Sequence, residues 1–198
     1  VNATAATAIN GTASAVATVL ADTEITHSST FDVTLTAGSV AATDLTAIDA
    51  ATTKVVDGSG ITTITGTAAN IAAAATLDAS TQTTNLGNFA ATVGSGTVSA
   101  ADLSTISART SGTVNATAAT AINGTASAVA TALADTGITH SSTFTTTVTG
   151  AGAALDLLAI NTATTKPVSG TGVTTITGTI ANVNLCLLYT SPSPRDSV

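Results

Sequence analysis

Residues 1–31 return as residues 114–144 with two changes, Ala132 in place of Val19 and Gly137 in place of Glu24. A chain that repeats itself this closely is constrained to fold as copies of one supersecondary unit, each burying its apolar face against a neighbour. The long repeat divides further, because Ile9-Asn10-Gly11-Thr12 recurs as Ile64-Thr65-Gly66-Thr67, Ile122-Asn123-Gly124-Thr125 and Ile176-Thr177-Gly178-Thr179. The four glycines, Gly11, Gly66, Gly124 and Gly178, are spaced almost evenly. Repeat units are therefore expected at 1–55, 56–113 and 114–167, with a partial fourth unit at 168–185.

Each unit reads as two halves, an extended segment followed by a helical one. Val1 to Asn10 is rich in Thr and β-branched residues. Gly11 can take the positive φ of a reversal, and Thr12 is a good N-cap. Val16, Val19 and Leu20 then share one helical face, and the helix is expected to end near Asp22. In the second half Phe31-Asp32-Val33-Thr34-Leu35-Thr36 alternates as a half-buried strand does. Ala41, Leu45 and Ile48 form a second helical stripe, repeated by Leu103/Ile106 and Leu157/Ile160. Ser99 and Asp102 have the spacing of a capping box, with Asp in place of the usual Glu. The fold expected is α/β, a repeat solenoid of strand–helix coils with a parallel sheet and right-handed crossovers. The alternative is an all-β solenoid in which the Ala-rich stretches are loops or rungs. Ala is a strong helix former and a weak strand former, which favours helices.

The chain holds 46 Thr and 41 Ala among 198 residues, with aromatics at 2% and charged residues at 8%. A core of Ala, Val, Ile and Leu is thin, so stability must come from stacking many coils and pairing their backbones. Phe31, Phe89 and Phe144 occur once per unit at equivalent positions and are expected inside. Net charge is −7, and Lys54, Arg109, Lys166 and Arg195 are the only Lys and Arg. That balance argues against nucleic acid or an anionic membrane as partner. No apolar run approaches the roughly 20 residues of a membrane span.

Composition changes at residue 186. Residues 186–198 contain the only Cys, the only Tyr and two of the three Pro. The string Cys186 to Asp196 resembles the conceptual translation of a transposon-type sequencing adapter, so 186–198 is expected to be a non-native or disordered tail.

No catalytic constellation is legible. His27 and His140 are one repeat position, occupied by Asn85 in the second unit, and His-Ser-Ser lacks an evident acid to orient the ring. Gly58-Ser59-Gly60 and Gly170-Thr171-Gly172 lack the Lys of a phosphate loop and read as turns. Asp44, Asp102 and Asp156 recur once per unit in the first turn of an expected helix, where the dipole stabilises a carboxylate. Capping is the favoured role over metal binding, and Asp22 and Asp135 at a helix end are open in the same way. No calcium-binding nonapeptide or EF-hand loop is present. The sequons at Asn2, Asn10, Asn115 and Asn123 fit glycosylation formally, although Asn10-Gly11 reads first as a turn. Thr63-x-Thr65-x-Thr67 and Thr175-x-Thr177-x-Thr179 would project Thr ladders of the kind used by some ice-binding solenoids, but units one and three break the pattern. No residue is assigned as catalytic, cofactor-binding or metal-binding, and no cofactor is expected.

The pieces Ile64 to Ala74, Val98 to Ala116 and Leu45 to Asp57 resemble Ala/Thr-rich repeats of giant bacterial, notably cyanobacterial, secreted and cell-surface proteins. The resemblance covers residues 1–184. It implies export to the cell surface or beyond, a spacer or adhesive role without catalysis, and neighbouring repeats or matrix components as partners. The alternative function is a ligand-binding module for calcium, glycan or ice on the repeated strand face. Units open at both ends lack polar caps. Residues 1–184 alone are therefore expected to be marginally stable or to associate end to end, and reversible, monomeric, highly cooperative melting would contradict this.

Overall fold

A computed structural model describes residues 1–77, 83, 84, 86 and 88–190. The fold is mixed α/β, with seven helices among the described residues, all strand pairings parallel, and no closed barrel. The Ala-rich stretches are helices, so the all-β alternative fails; with no β-branching, Ala loses little on entering a helix and packs its backbone close to a neighbour.

Strands and helices alternate along the chain. Strands β1 (Asn2–Ala3) and β2 (Ala8–Gly11) lead into α1 (Ala13–Ala21). Then β3 (Thr26–His27), β4 (Asp32–Leu35) and β5 (Gly38–Ala41) precede α2 (Ala42–Ala51), and β6 (Val56–Asp57) and β7 (Ile61–Gly66) precede α3 (Ala68–Leu77). Next β8 (Thr83–Thr84), β9 (Ala90–Val93) and β10 (Gly96–Ser99) lead into α4 (Ala100–Ser107), and β11 (Val114–Ala116) and β12 (Ala119–Thr125) into α5 (Ala126–Ala134). Strands β13 (Ile138–His140) and β14 (Thr146–Ala153) precede α6 (Ala154–Ala163), and β15 (Val168–Thr177) precedes α7 (Ile180–Thr190). Helices begin at 13, 42, 68, 100, 126, 154 and 180, at intervals of 26 to 32 residues, and each strand–helix segment is called a coil below.

The chain forms two compact units, Val1–Gly94 with Thr105–Asn115, and Ser95–Ser104 with Ala116–Val198. In the first, β1 pairs with β3, β2-β4-β6-β8 form one sheet, and β5-β7-β9-β11 form another. In the second, the order is β10-β12-β14-β15.

Two kinds of coil alternate. In one, the repeated glycine lies at or beside the strand end and the next Thr caps the helix. The hydroxyls of Thr12, Thr67, Thr125 and Thr179 accept from the amides of Ala15, Asn70, Ala128 and Asn182 at 3.2–3.3 Å. Gly66 sits at φ +150°, a backbone conformation that L side chains rarely adopt. In the other kind, Ala41 and Ala153 precede α2 and α6 without a side-chain cap bond, and Asp44 and Asp156 lie in the first turns. Asp102 occupies the same place in α4.

The core is thin, as composition requires, and its Phe residues are fully inside: Phe31, Phe89 and Phe144 are at most 1% exposed. Leu45, Ile48, Leu103, Ile106, Leu157 and Ile160 are buried as their spacing predicts. Phe31, Val33 and Leu35 point inward while Asp32, Thr34 and Thr36 point out. Val19 departs from expectation, being 40% exposed, because Ala13 and Val16 are the inward residues of α1. Ala41 likewise ends β5, and Ala42 takes the buried place in α2.

The first residue of each of the first six helices is a buried Ala: 13, 42, 68, 100, 126 and 154. A following coil crosses that alanine. A Cβ on Gly66 would lie 3.5 Å from the Ala42 methyl, one on Gly124 3.5 Å from Ala100, and one on Gly152 3.0 Å from Ala126. A threonine bolt recurs beside each Phe. Thr52 Oγ1 donates to the Phe31 carbonyl at 2.7 Å, and Thr110 and Thr164 do the same for Phe89 and Phe144. Each bolt also accepts an amide two residues on, from Lys54, Gly112 and Lys166.

Residues 186–190 continue α7, and Cys186 is buried. Leu185-Cys186-Leu187-Leu188 carries the helix on from Ile180 without a breaker. Residues 191–198 lie outside the described residues. No helix among the described residues is long and apolar enough to cross a membrane.

Filling the alanine position should be costly. Ala126→Leu is expected to lower stability by about 1–3 kcal/mol in urea unfolding, whereas the exposed neighbouring change Ser127→Ala stays within about 0.5 kcal/mol.

Candidate functional site

Three adjacent strands of the second unit, with the first turn of α4, frame an open groove of about 510 Å³. Strand β10 contributes Thr97 and Ser99, β12 contributes Asn123, β14 contributes Thr147 and Thr149, and Asp102 stands at the start of α4. Parallel pairing brings them together: Ser99 is the partner of Asn123, and Thr125 of Thr149. The Asn123 carboxamide oxygen accepts the Thr147 amide at 2.8 Å, which fixes that side chain across two strands. The groove thus presents four hydroxyls, one carboxamide and one carboxylate. It offers hydrogen-bond donors and acceptors to a bound molecule.

A smaller cavity of about 260 Å³ lies among Leu157, Val168, Gly170, Val173, Ile176 and Cys186. Burial pushes the Cys186 thiol up, which keeps it protonated and unreactive.

The residues singled out by sequence are mostly committed to holding the fold. His27 packs edge-on against Phe31 with ring centroids 5.6 Å apart, and His140 repeats the contact with Phe144. Their Nδ1 atoms lie 2.9 Å from the Ser28 and Ser141 carbonyls, which can only accept, so Nδ1 carries the proton. These half-buried rings are wedges against the core. Asn85, at the corresponding position, lies outside the described residues. Asp22 and Asp135 are C-caps whose carboxylates accept the amides of Glu24 and Gly137. Asn10 is a strand residue, not a turn, and its side chain accepts the Thr34 amide on the next strand at 3.2 Å. Asn2 closes a local turn onto Thr4.

Gly58 to Gly60 form a turn, with the Ile61 amide donating to the Gly58 carbonyl at 2.9 Å. Gly170 and Gly172 instead lie within β15. There a Cβ on Gly172 would come within 2.9 Å of Thr149 Cγ2, so glycine permits close strand approach rather than a reversal. Thr67 and Thr179 are helix caps, and Thr63 and Thr65 pair with Ser39 and Ala41. Thr175 and Thr177 pair with Ala151 and Ala153, so neither Thr run continues onto the strand before it. Among the described residues no three His, Cys, Asp or Glu side chains converge on one point.

Sequence reasoning missed the threonine bolts and Asp49. The repeated Thr-Thr-Lys at 52–54 and 164–166 was the available signal for the bolts. Asp49 is only 8% exposed on α2, where the fully buried Thr83 donates to it at 3.3 Å. Its carboxyl is raised above the ordinary aspartate value by burial, with the Thr83 bond opposing.

A raised native value means that the folded protein holds this proton over a pH range where the unfolded chain has lost it. Stability from Asp49 is therefore present in acid and declines as pH rises through and above the ordinary aspartate value of 3.8. Asp49→Asn should remove that decline, seen as a flatter melting temperature against pH between about 4 and 7.

The chain matches no known family model, no curated protein and no solved structure.

Proposed function

We propose that this chain is a stacked-coil solenoid segment with a structural or adhesive role, without catalysis, in a large exported surface protein. The observation that carries the reading is where the chemically able side chains go. Thr52, Thr110, Thr164, His27, His140, Asn10 and Asn123 direct their polar atoms to backbone groups of this chain, five of them to groups 20 to 24 residues away in sequence. Such residues serve stacking, and stacking yields reach and surface rather than a reaction centre. Its partners are then neighbouring repeats and components of a surface or matrix, and its place is outside the cell. Scarce Lys and Arg leave little to hold a polyanion.

The second reading is ligand binding on the strand face, and the groove around Asp102, Asn123 and Thr147 favours it. Its hydroxyls and carboxamide suit a polyhydroxylated ligand such as a glycan better than calcium, which takes six to eight oxygen ligands. On the structural reading, millimolar calcium leaves the melting temperature unchanged. Deleting one unit from a tandem array in a surface display then shortens reach and weakens adhesion in proportion. A calcium-dependent rise of several degrees, or adhesion lost on Asp102→Ala alone, would favour the binding module.

A further inference from the structure

The groove of the second unit is lined by polar groups that the fold does not use. Among the described residues, the hydroxyls of Thr97, Ser99, Thr147 and Thr149 and the carboxylate of Asp102 make no hydrogen bond within the chain. The Asn123 carboxamide is held by its oxygen, on the Thr147 amide, which fixes the direction of its two N–H donors. Ser99, Asp102 and Asn123 are half-buried, so their polar atoms face a ligand from a defined wall rather than from mobile side chains in open water. Val98 and Gly124 add a small apolar patch to the same lining.

The chain carries its own comparison. In the first unit β5, β7, β9 and α2 take the corresponding places with the same parallel register, Ala41 opposite Thr65 and Thr65 opposite Thr92. Asp44 and Thr92 match Asp102 and Thr147, but Ala41 stands for Ser99, Thr65 for Asn123 and Gly94 for Thr149. The Thr65 hydroxyl donates to the Val40 carbonyl at 3.2 Å, so the group that replaces the carboxamide is tied to the backbone. Where β14 pairs with β15, Ala151, Ala153 and Thr177 replace Thr97, Ser99 and Asn123. Stacking is therefore achieved without these polar groups, and their concentration around Asp102 calls for another role.

The lining selects its ligand. It mixes donors and acceptors and holds neither a cation nor an aromatic ring among its described residues. An anionic ligand would meet the Asp102 carboxylate with nothing to offset the repulsion, and an open groove gives a peptide side chain no pocket to fill. A sugar ring supplies hydroxyls that both donate and accept, and a C–H face for Val98 and Gly124. Ser99, Asn123 and Thr147 lie on three neighbouring parallel strands, a row of about 10 Å that is close to the length of a disaccharide. We infer that the groove binds a segment of an uncharged glycan chain laid across β10, β12 and β14, with Asp102 accepting from sugar hydroxyls and Asn123 donating to a sugar oxygen. This deepens, and rests on, the ligand-binding reading above.

The test titrates the full chain by calorimetry with cellohexaose, maltohexaose and mannohexaose, and with hexagalacturonate as the charged counterpart. At least one of the three neutral oligosaccharides should bind saturably at one site per chain, its disaccharide at least tenfold more tightly than its monosaccharide, and hexagalacturonate should not bind. Ser99→Ala combined with Asn123→Thr installs the residues that the first unit carries at these places, so the fold accommodates both, and binding should fall at least tenfold. Asn10→Thr removes the same kind of cross-strand bond outside the groove and should leave binding unchanged. Absence of binding by all three neutral oligosaccharides at millimolar concentration overturns the inference and the glycan-binding reading together. Glycan binding that ignores the Ser99 and Asn123 changes, or falls equally with Asn10→Thr, overturns the groove as its place and leaves ligand binding elsewhere on the strand face standing. Equal binding of hexagalacturonate overturns the restriction to uncharged chains, and with it the inference.

Discussion

Parallel backbone pairing between one coil and the next is the constraint on which everything else depends. A chain with three Phe, no Trp and no Met cannot stabilise itself by burying large side chains. It satisfies its peptide groups by parallel strand pairing within each unit, and the paired segments must come close. Alanine at the head of the first six helices makes that approach possible. In four places its single methyl lies only 3.0 to 3.5 Å from where a Cβ on the crossing glycine would stand, counting Gly178 over Ala154 at 3.2 Å. Buried contact then accumulates in small increments along the sheet rather than in one large core.

The same scarcity of large side chains explains the threonines. A hydroxyl on a short β-branched stem reaches a carbonyl without the entropy cost of a long side chain. Thr52, Thr110 and Thr164 use it to tie the chain beyond each helix to the Phe carbonyl at the start of the coil. The bolt closes one coil around the single large aromatic side chain available to it, with His27 and His140 wedged beside two of the three rings. Thr146 is the exception, its buried hydroxyl having no partner among the described residues.

Much of this is legible in the amino-acid sequence. Gly-Thr pairs mark strand ends and caps, the Leu/Ile stripes mark three helices, and the alternation from Phe31 to Thr36 yields a strand with the right face inward. The misreadings have a common cause. Asn10-Gly11 and Gly170-Thr171-Gly172 carry turn-forming residues, and local propensity assigns them to turns. They lie in strands instead, where Asn10 bonds across to Thr34 and Gly172 lets two strands close up. The groove at Asp102 is invisible in the sequence for a related reason: its lining comes from three strands brought together by parallel register, and no local motif encodes that register.

Residues 1–31 mark the boundary between the two kinds of information. Local sequence determined that both copies form the same elements, with the same Thr cap, the same Asp C-cap and the same His-on-Phe contact, because those depend on residues within one coil. It did not determine burial. Val1 is 85% exposed and its duplicate Val114 is fully buried, since burial is a property of the neighbouring coil and only tertiary structure supplies a neighbour.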